Sequence, residues 1–274
     1  MIKKVAFLAL TYDRFQNEEL MQKFFSKKAS HLYSLYIHNK HELIDSVFSR
    51  NCLSRDQIVD TKWGSYSLVR AAVRLMLHAL KDPDNEYFVL ISDSHCPLYC
   101  MEEMHSVVER DFTKLSFSNQ LREKSIAKKR FLNSLDKRRL DYCPLNKESG
   151  KFASQFFICR RSDAQAFVDS EPKLRKWFDQ NYVACQDETY FYSLADYLKL
   201  DYQVKGCCHF NWYLPSKKEF IDYSIREYPK TYSKIPNKMI DILRNQYKYL
   251  FVRKICGETK IDQNYLFNEC QKNQ

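Results

Sequence analysis

The stretch Glu86-Tyr-Phe-Val-Leu-Ile-Ser-Asp-Ser-His-Cys-Pro-Leu-Tyr99 decides how the rest of the chain is read. Tyr87 to Ile91 is an apolar run rich in aromatic and β-branched residues, the pattern of a strand covered on both faces. It predicts the central strand of a parallel sheet. Ser92, Asp93, Ser94 and His95 then crowd polar groups at its carboxyl end, and Pro97 predicts that the ladder stops. In open α/β sheets that edge is where ligands bind. The same residues also fit a strand followed by an ordinary turn.

Working outward, Lys4 to Leu10 reads as the first strand, ending in Thr11-Tyr12-Asp13-Arg14. A helix through Leu20, Phe24 and Phe25 leads to a second strand, Leu32 to Ile37, closed by His38-Asn39-Lys40. Strand, helix and strand with polar residues at both strand ends begin a βαβ nucleotide-binding half. Trp63-Gly64 makes a turn and Ser65 is a candidate N-cap. Leu68, Val69, Ala72, Val73, Leu75, Met76, Ala79 and Leu80 then recur at helical spacing. His78 on that helix reads as a surface or partly buried histidine, because no second histidine lies within helical reach. Asp82-Pro83-Asp84 reads as a turn.

Beyond Tyr99 the pattern predicts a helix around Met101 to Arg110, then a lysine- and serine-rich acceptor-side loop over residues 111–150. Lys151 to Cys159 reads as a second aromatic strand, and Arg161 to Val168 and Pro172 to Phe178 as two short helices. Gln186-Asp187-Glu188-Thr189 opens another helix, with Phe191, Leu194, Ala195 and Leu198 as its apolar face. Tyr202 to Val204, His209 to Tyr213 and Tyr249 to Ile255 follow.

With 274 residues, 45% hydrophobic and 15% aromatic, the chain has ample material for a core. No apolar run approaches the roughly 18 residues needed to span a bilayer, and the opening Met1 to Thr11 turns polar too soon to be a signal. The net charge of +10 is spread through short lysine and arginine clusters, which suits anionic ligands, a membrane surface or plain solvation. Ten cysteines include no Cys-x-x-Cys pair, which argues against a structural zinc and for mostly reduced thiols. Four widely separated glycines exclude a P-loop or a Gly-x-Gly-x-x-Gly dinucleotide site. Any phosphate must be held by side chains.

The ordered set of a Trp63-Gly64 turn, a long helix and a strand ending in a serine-rich Cys96-Pro97-Leu98 turn resembles the core-2/I-branching N-acetylglucosaminyltransferases and their xylosyltransferase relatives. The resemblance continues through Lys151-Phe-Ala-Ser-Gln-Phe-Phe157, which departs from the family at Phe152 and Phe156, through Asp187-Glu188, and through the block ending in Arg253-Lys254. It implies a GT-A-like α/β fold with a mixed central sheet and helices on both faces. A single domain over 1–274 is expected, with a nucleotide-binding half at 1–110 and an acceptor-side half at 111–274 that carries the diphosphate-binding segment.

The resemblance also implies an inverting glycosyltransferase that moves N-acetylglucosamine or xylose from a UDP-sugar to a glycan acceptor. Glu188 maps to the family's catalytic base. Thr11, His38, Trp63, Ser94, Lys230, Arg253 and Lys254 are the expected donor-binding residues. Arg139, Ser154, Gln155 and Trp212 are those expected on the acceptor side. No cofactor and no metal are expected, since no Asp-x-Asp follows the second strand and the family uses basic side chains instead. Members without an anchor and stem imply a cytoplasmic setting, with the oligomeric state open.

Each assignment has a competitor. Asp187 and Glu188 equally satisfy the preference for acidic residues at a helix start, Arg253-Lys254 equally reads as a solvated strand end, and Trp212 as core. A different class of reading is a non-catalytic basic protein that binds nucleic acid or an anionic membrane. Against it, the aromatics sit in apolar strands such as Phe156-Phe157, not among the basic clusters, so no nucleic-acid partner is expected.

Overall fold

The computed structural model describes residues 2–42, 46–117, 153–181, 185–210 and 231–267. Its centre is a six-stranded sheet in the order β2-β1-β3-β6-β5-β7. The strands are β1 (Lys4–Thr11), β2 (Tyr33–Asn39), β3 (Asn85–Ser92), β5 (Leu115–Phe117), β6 (Phe157–Arg160) and β7 (Tyr202–Val204). β1 pairs parallel with both β2 and β3. β6 is antiparallel to β3 and β5, and β5 is parallel to β7. The sheet is therefore mixed, and β3 is an interior strand at the point where it turns from parallel to antiparallel pairing.

The apolar runs form strands because both their faces are covered. Every residue from Val5 to Ala9 and from Tyr87 to Ile91 is buried. Phe7 packs edge-on against Phe24, and against Phe25 just beyond it, in α1 (Glu18–Phe24) and its cap. Each such side chain contributes about 1.5–3 kcal/mol by leaving water. α2 (Tyr66–Ala79) lies along β1, β2 and β3, buries Val69, Ala72, Val73, Leu75, Met76 and Ala79, and starts at Ser65, whose Oγ accepts from the Ser67 amide at 3.3 Å. α4 (Arg161–Gln180) and α5 (Gln186–Tyr197) pack against α2. His78 is half-buried on α2.

A second, three-stranded sheet is made of β4 (Cys96–Pro97), β10 (Phe251–Arg253) and β8 (Cys208–Phe210), in the order β4-β10-β8. α3 (Met101–Asp111) follows β4. Two short strands, β9 (Lys234–Ile235) and β11 (Lys260–Ile261), pair parallel beside α6 (Asn237–Asn245) and α7 (Gln263–Phe267). Among the described residues no helix is long and apolar enough to cross a membrane.

Four expectations are corrected. Pro97 does not end pairing: the main ladder stops at Ser92, and Cys96–Pro97 open a new ladder antiparallel to Phe251 and Val252. The bond a proline cannot supply comes from the next amide, Leu98 N–H to Leu250 O at 2.8 Å. The stretch read as a loop from residue 111 holds β5, too short for a period to register and held by its two neighbours. Of the strand expected over Lys151 to Cys159, the described residues Ala153 to Phe156 lie outside β6, which begins at Phe157, because Ala153 N–H bonds away to Glu188 O at 2.9 Å and Ser154 Oγ accepts from the Phe156 amide at 3.3 Å.

The two helices expected on either side of Pro172 are one continuous helix. An interior proline costs about 3 kcal/mol, but buried Phe167, Leu174 and Phe178 carry the apolar face across it. Buried Glu171 is bound by Tyr66 Oη at 3.2 Å and by both ends of the Arg175 fork at 2.9 and 2.6 Å. Together these hold both halves on one axis.

Candidate active site

Because β1, β2 and β3 run parallel, their carboxyl ends share one edge: Leu10 is opposite His38 on one side and Ser92 on the other. Thr11 is buried there, its Oγ1 without a hydrogen-bond partner among the described residues. Tyr12 stands 58% exposed, edge-on to His41 with ring centroids 4.5 Å apart. The Lys40 ammonium lies 5.9 Å from the Tyr12 ring and donates to Thr61 O at 2.8 Å. Ser94 is buried, its Oγ 3.2 Å from that of Ser92.

His38 reaches the same edge but turns inward. It is buried, and Nε2 accepts from the Val59 amide at 2.8 Å, which leaves the ring proton on Nδ1. Burial pushes its pKa down to about 4. Its side chain pins the segment after β2.

β10 delivers the cations. Phe251 sits edge-on to Phe7, Phe24 and His95, which anchors the strand in the core, and Ile255 N–H donates to Ser94 O at 3.0 Å. Arg253 and Lys254 are thereby held against the end of β3. The Arg253 guanidinium lies 4.5 Å over the Phe156 ring. Desolvation lowers its pKa, opposed by Cys208, Asp93, Glu188 and Asp187. Lys254 is half-buried. Desolvation and the neighbouring Arg253 lower its pKa, and Asp93 opposes them.

The third component is the start of α5. Gly64 adopts φ +68°, where side chains are disfavoured, and its carbonyl accepts from the Gln186 amide at 3.0 Å. The Gln186 side chain returns the contact, Oε1 accepting from Tyr66 N at 2.7 Å and Nε2 donating to Asn181 O at 3.1 Å. The Trp63-Gly64 turn thus fixes where α5 begins, and Trp63 itself stands 80% exposed.

Asp187 is buried, and desolvation pushes its pKa up to about 6 against the pull of nearby amides and of Arg253. Glu188 is open to solvent although protein crowds its carboxyl. That crowding, then the charge of Asp187, pushes its pKa up to about 7, and Arg253 pulls it down. A carboxylate made more basic while water still reaches it is suited to accept a proton near neutral pH.

Ser154 and Gln155 lie beside Glu188 through the Ala153–Glu188 backbone bond, both half-buried. The fold therefore brings together Thr11, Ser94, Ser154, Gln155, Glu188, Arg253 and Lys254. Arg139, Trp212 and Lys230 lie outside the described residues. Sequence reading named three neighbours of the site without giving them a place in it: Asp93, one of the polar crowd after β3; Phe156, which underlies Arg253; and Gln186, which ties the helix start to the turn. Among the described residues no three His, Cys, Asp or Glu side chains are grouped to hold a metal. Seven described cysteines are free thiols, and Cys100 takes part in a disulfide.

A cavity of about 750 Å3 lies elsewhere, between the start of α1 and residues 234–237 and 257–263. Its lining mixes Lys234 and Lys260 with Glu19, Glu258 and Asp262 without converging on one group. At the strand edge, by contrast, Arg253 shares its field with Asp93, Asp187 and Glu188, and Lys254 with Asp93.

This arrangement defines a GT-A-like α/β protein. The family model for the Core-2/I-branching enzyme matches residues 5–241, and the chain belongs to that family. It is similar to glycosyltransferase BC10 of Oryza sativa subsp. japonica, 31% identical over 103 residues, which cover 35% of this chain and 25% of that relative.

Proposed function

We propose that the protein is an inverting glycosyltransferase that moves a sugar, N-acetylglucosamine or xylose, from a UDP-sugar to a hydroxyl of a glycan acceptor. The observation that carries this reading is the place of Arg253: it lies 4.5 Å over the Phe156 ring, with Ile255 N–H bonded to Ser94 O at the end of β3 on one side and Ala153 N–H bonded to Glu188 O at the start of α5 on the other. One cation links the side where a nucleotide would lie to the side where a base would act.

In the proposed reaction the nucleotide lies along the ends of β1 and β2, with its diphosphate against Arg253 and Lys254. Glu188 takes the proton from the acceptor hydroxyl as its oxygen attacks the anomeric carbon. The bond from that carbon to the diphosphate oxygen breaks, and its electron pair leaves with UDP. Direct displacement by one nucleophile inverts the anomeric centre. The two cations neutralise charge on the leaving diphosphate where water is scarce, which is where such charges count most. This assigns the leaving-group role to side chains and asks for no metal.

The test is a screen of UDP-sugars with the purified protein for transfer or slow hydrolysis, reading UDP release and anomeric configuration. Release of UDP from one sugar, with a product of opposite configuration to the donor, is expected. Absence of turnover and of UDP binding would overturn the reading.

A further inference from the structure

Asp93 sits one residue beyond the last β1–β3 ladder pair, Leu10 opposite Ser92. Its backbone is held on both sides: its amide donates to Leu10 O at 3.2 Å, and its carbonyl accepts from Gln16 N at 3.0 Å. One carboxylate oxygen, Oδ2, accepts from the Tyr12 amide at 3.3 Å. The other, Oδ1, takes no hydrogen bond from any described residue, and the side chain is only half-buried. A carboxylate has lone pairs for several donors, so this one is fixed in place with acceptor capacity left over.

Its surroundings set which donor it would meet. Asp93 shares the field of Arg253, Lys254 and Asp13. Tyr12 N–H donates to its Oδ2, the next residue, Ser94, accepts from Ile255 N–H just past Lys254, Arg253 lies over Phe156, and Ala153 N–H, three residues before Phe156, donates to Glu188 O. From one end of the site to the other these contacts give the order Tyr12, Asp93, the two cations, then Glu188. A nucleoside diphosphate with its base at the ends of β1 and β2 and its phosphates at Arg253 and Lys254 has one part left for the space between, the ribose. A carboxylate there is a poor neighbour for phosphate but a strong acceptor for a hydroxyl.

We propose that Asp93 accepts a hydrogen bond from a ribose hydroxyl of the donor nucleotide and makes the site selective for ribonucleotides. This rests on the nucleotide-sugar reading above. Asp93 touches the donor and not the reacting atoms, so it sets affinity and not the chemical step.

The experiment compares dissociation constants of UDP, 2′-deoxy-UDP and 3′-deoxy-UDP, by calorimetry, for the unaltered chain and for Asp93→Ala and Asp93→Asn. UDP carries no transferred sugar, so any difference reports the ribose alone. The unaltered chain should bind one deoxy analogue about 10- to 100-fold more weakly than UDP, the worth of a hydrogen bond to a charged group. Asp93→Ala should bind UDP and that analogue equally, and Asp93→Asn should keep only a few-fold preference. Full discrimination retained by a folded Asp93→Ala would overturn the proposal. So would no discrimination by the unaltered chain, or equal tightening of all three ligands in the variant, since the last would make Asp93 only a counter-charge. If Asp93→Ala does not fold, undiminished discrimination in Asp93→Asn overturns it and reduced discrimination supports it. No UDP binding by the unaltered chain would refute the donor reading itself.

Discussion

Glu188 illustrates how a residue with an ordinary structural purpose becomes a candidate base. An acidic side chain in the first turn of α5 is favoured by the helix dipole by about 0.3–1 kcal/mol, and that preference alone would leave its pKa low. Desolvation and Asp187 push it up to about 7 instead. The acidic limb of kcat/KM should therefore titrate near neutrality, well above the usual carboxylate range, with activity rising as pH rises. Glu188→Gln should lower transfer by about 10²–10⁴-fold and spare UDP binding; near-full turnover would return Glu188 to a helix-start role. The sign for stability is opposite to that for activity. A carboxyl whose folded pKa is raised makes the folded state bind more protons than the unfolded one, so stability falls as pH climbs from about 4.5 to 7. Glu188→Gln should consequently raise the melting temperature at pH 8 and leave it unchanged at pH 4, which a pair of thermal scans would decide. The position of Glu188 at a helix start and of Lys254 just past a strand was legible because each stands in a short, distinctive block. The inward turn of His38 was not, because the amide of Val59 that holds it is set by the path of the chain after β2.

At the scale of elements, the β-branched and aromatic runs announced β1, β2 and β3: burial on both faces writes itself into nearly every residue of β1 and β3, while β2, at the sheet edge, keeps Tyr33, Ser34 and Tyr36 only half-buried. The shorter strands β5, β7 and β8 have too few residues to show a period, and their neighbours specify them. The Trp63-Gly64 turn was legible as a turn, but not its purpose, because the Gly64–Gln186 bond joins positions far apart in sequence. Gln186 is 4% exposed and bonds Tyr66, Phe178 and Asn181. Gln186→Ala would leave a buried amide and two carbonyls short of a partner, at a cost of roughly 1–3 kcal/mol. Glu188 follows two positions later in the same turn of helix. The variant should therefore lose turnover in addition to stability, while UDP affinity at β10 stays within a few-fold. Denaturant titration alongside steady-state kinetics would separate these effects, and an unchanged kcat would show that the helix start is set by other contacts.

For the molecule as a whole, the site is assembled from the ends of a parallel sheet, a second small sheet that carries the cations, and a helix start tied to a distant turn. The balance of charge in that assembly leads to the prediction that most sharply separates metal-free from metal-dependent transfer. A diphosphate leaving group brings about two negative charges into surroundings where each must meet a cation or oriented donors. Arg253 and Lys254 are adjacent in sequence, both partly desolvated, and pressed against the end of β3 by the Ser94–Ile255 bond. Desolvation and then Arg253 lower the pKa of Lys254, and the like-charge part of that penalty is relieved when an anion binds. UDP should therefore raise the melting temperature at micromolar to millimolar concentration by binding only the folded state, and single-stranded DNA should not. Lys254→Ala removes half of the matching charge and should weaken UDP binding and turnover together. It should also lift the melting temperature of the empty protein or leave it unchanged, because the repulsion goes with the lysine. Transfer should persist in excess EDTA and gain nothing from manganese if these two side chains carry the leaving group. Activity abolished by chelation and restored by manganese would instead require a metal to share the diphosphate, and Arg253 and Lys254 would then be left to balance the carboxylates Asp93, Asp187 and Glu188.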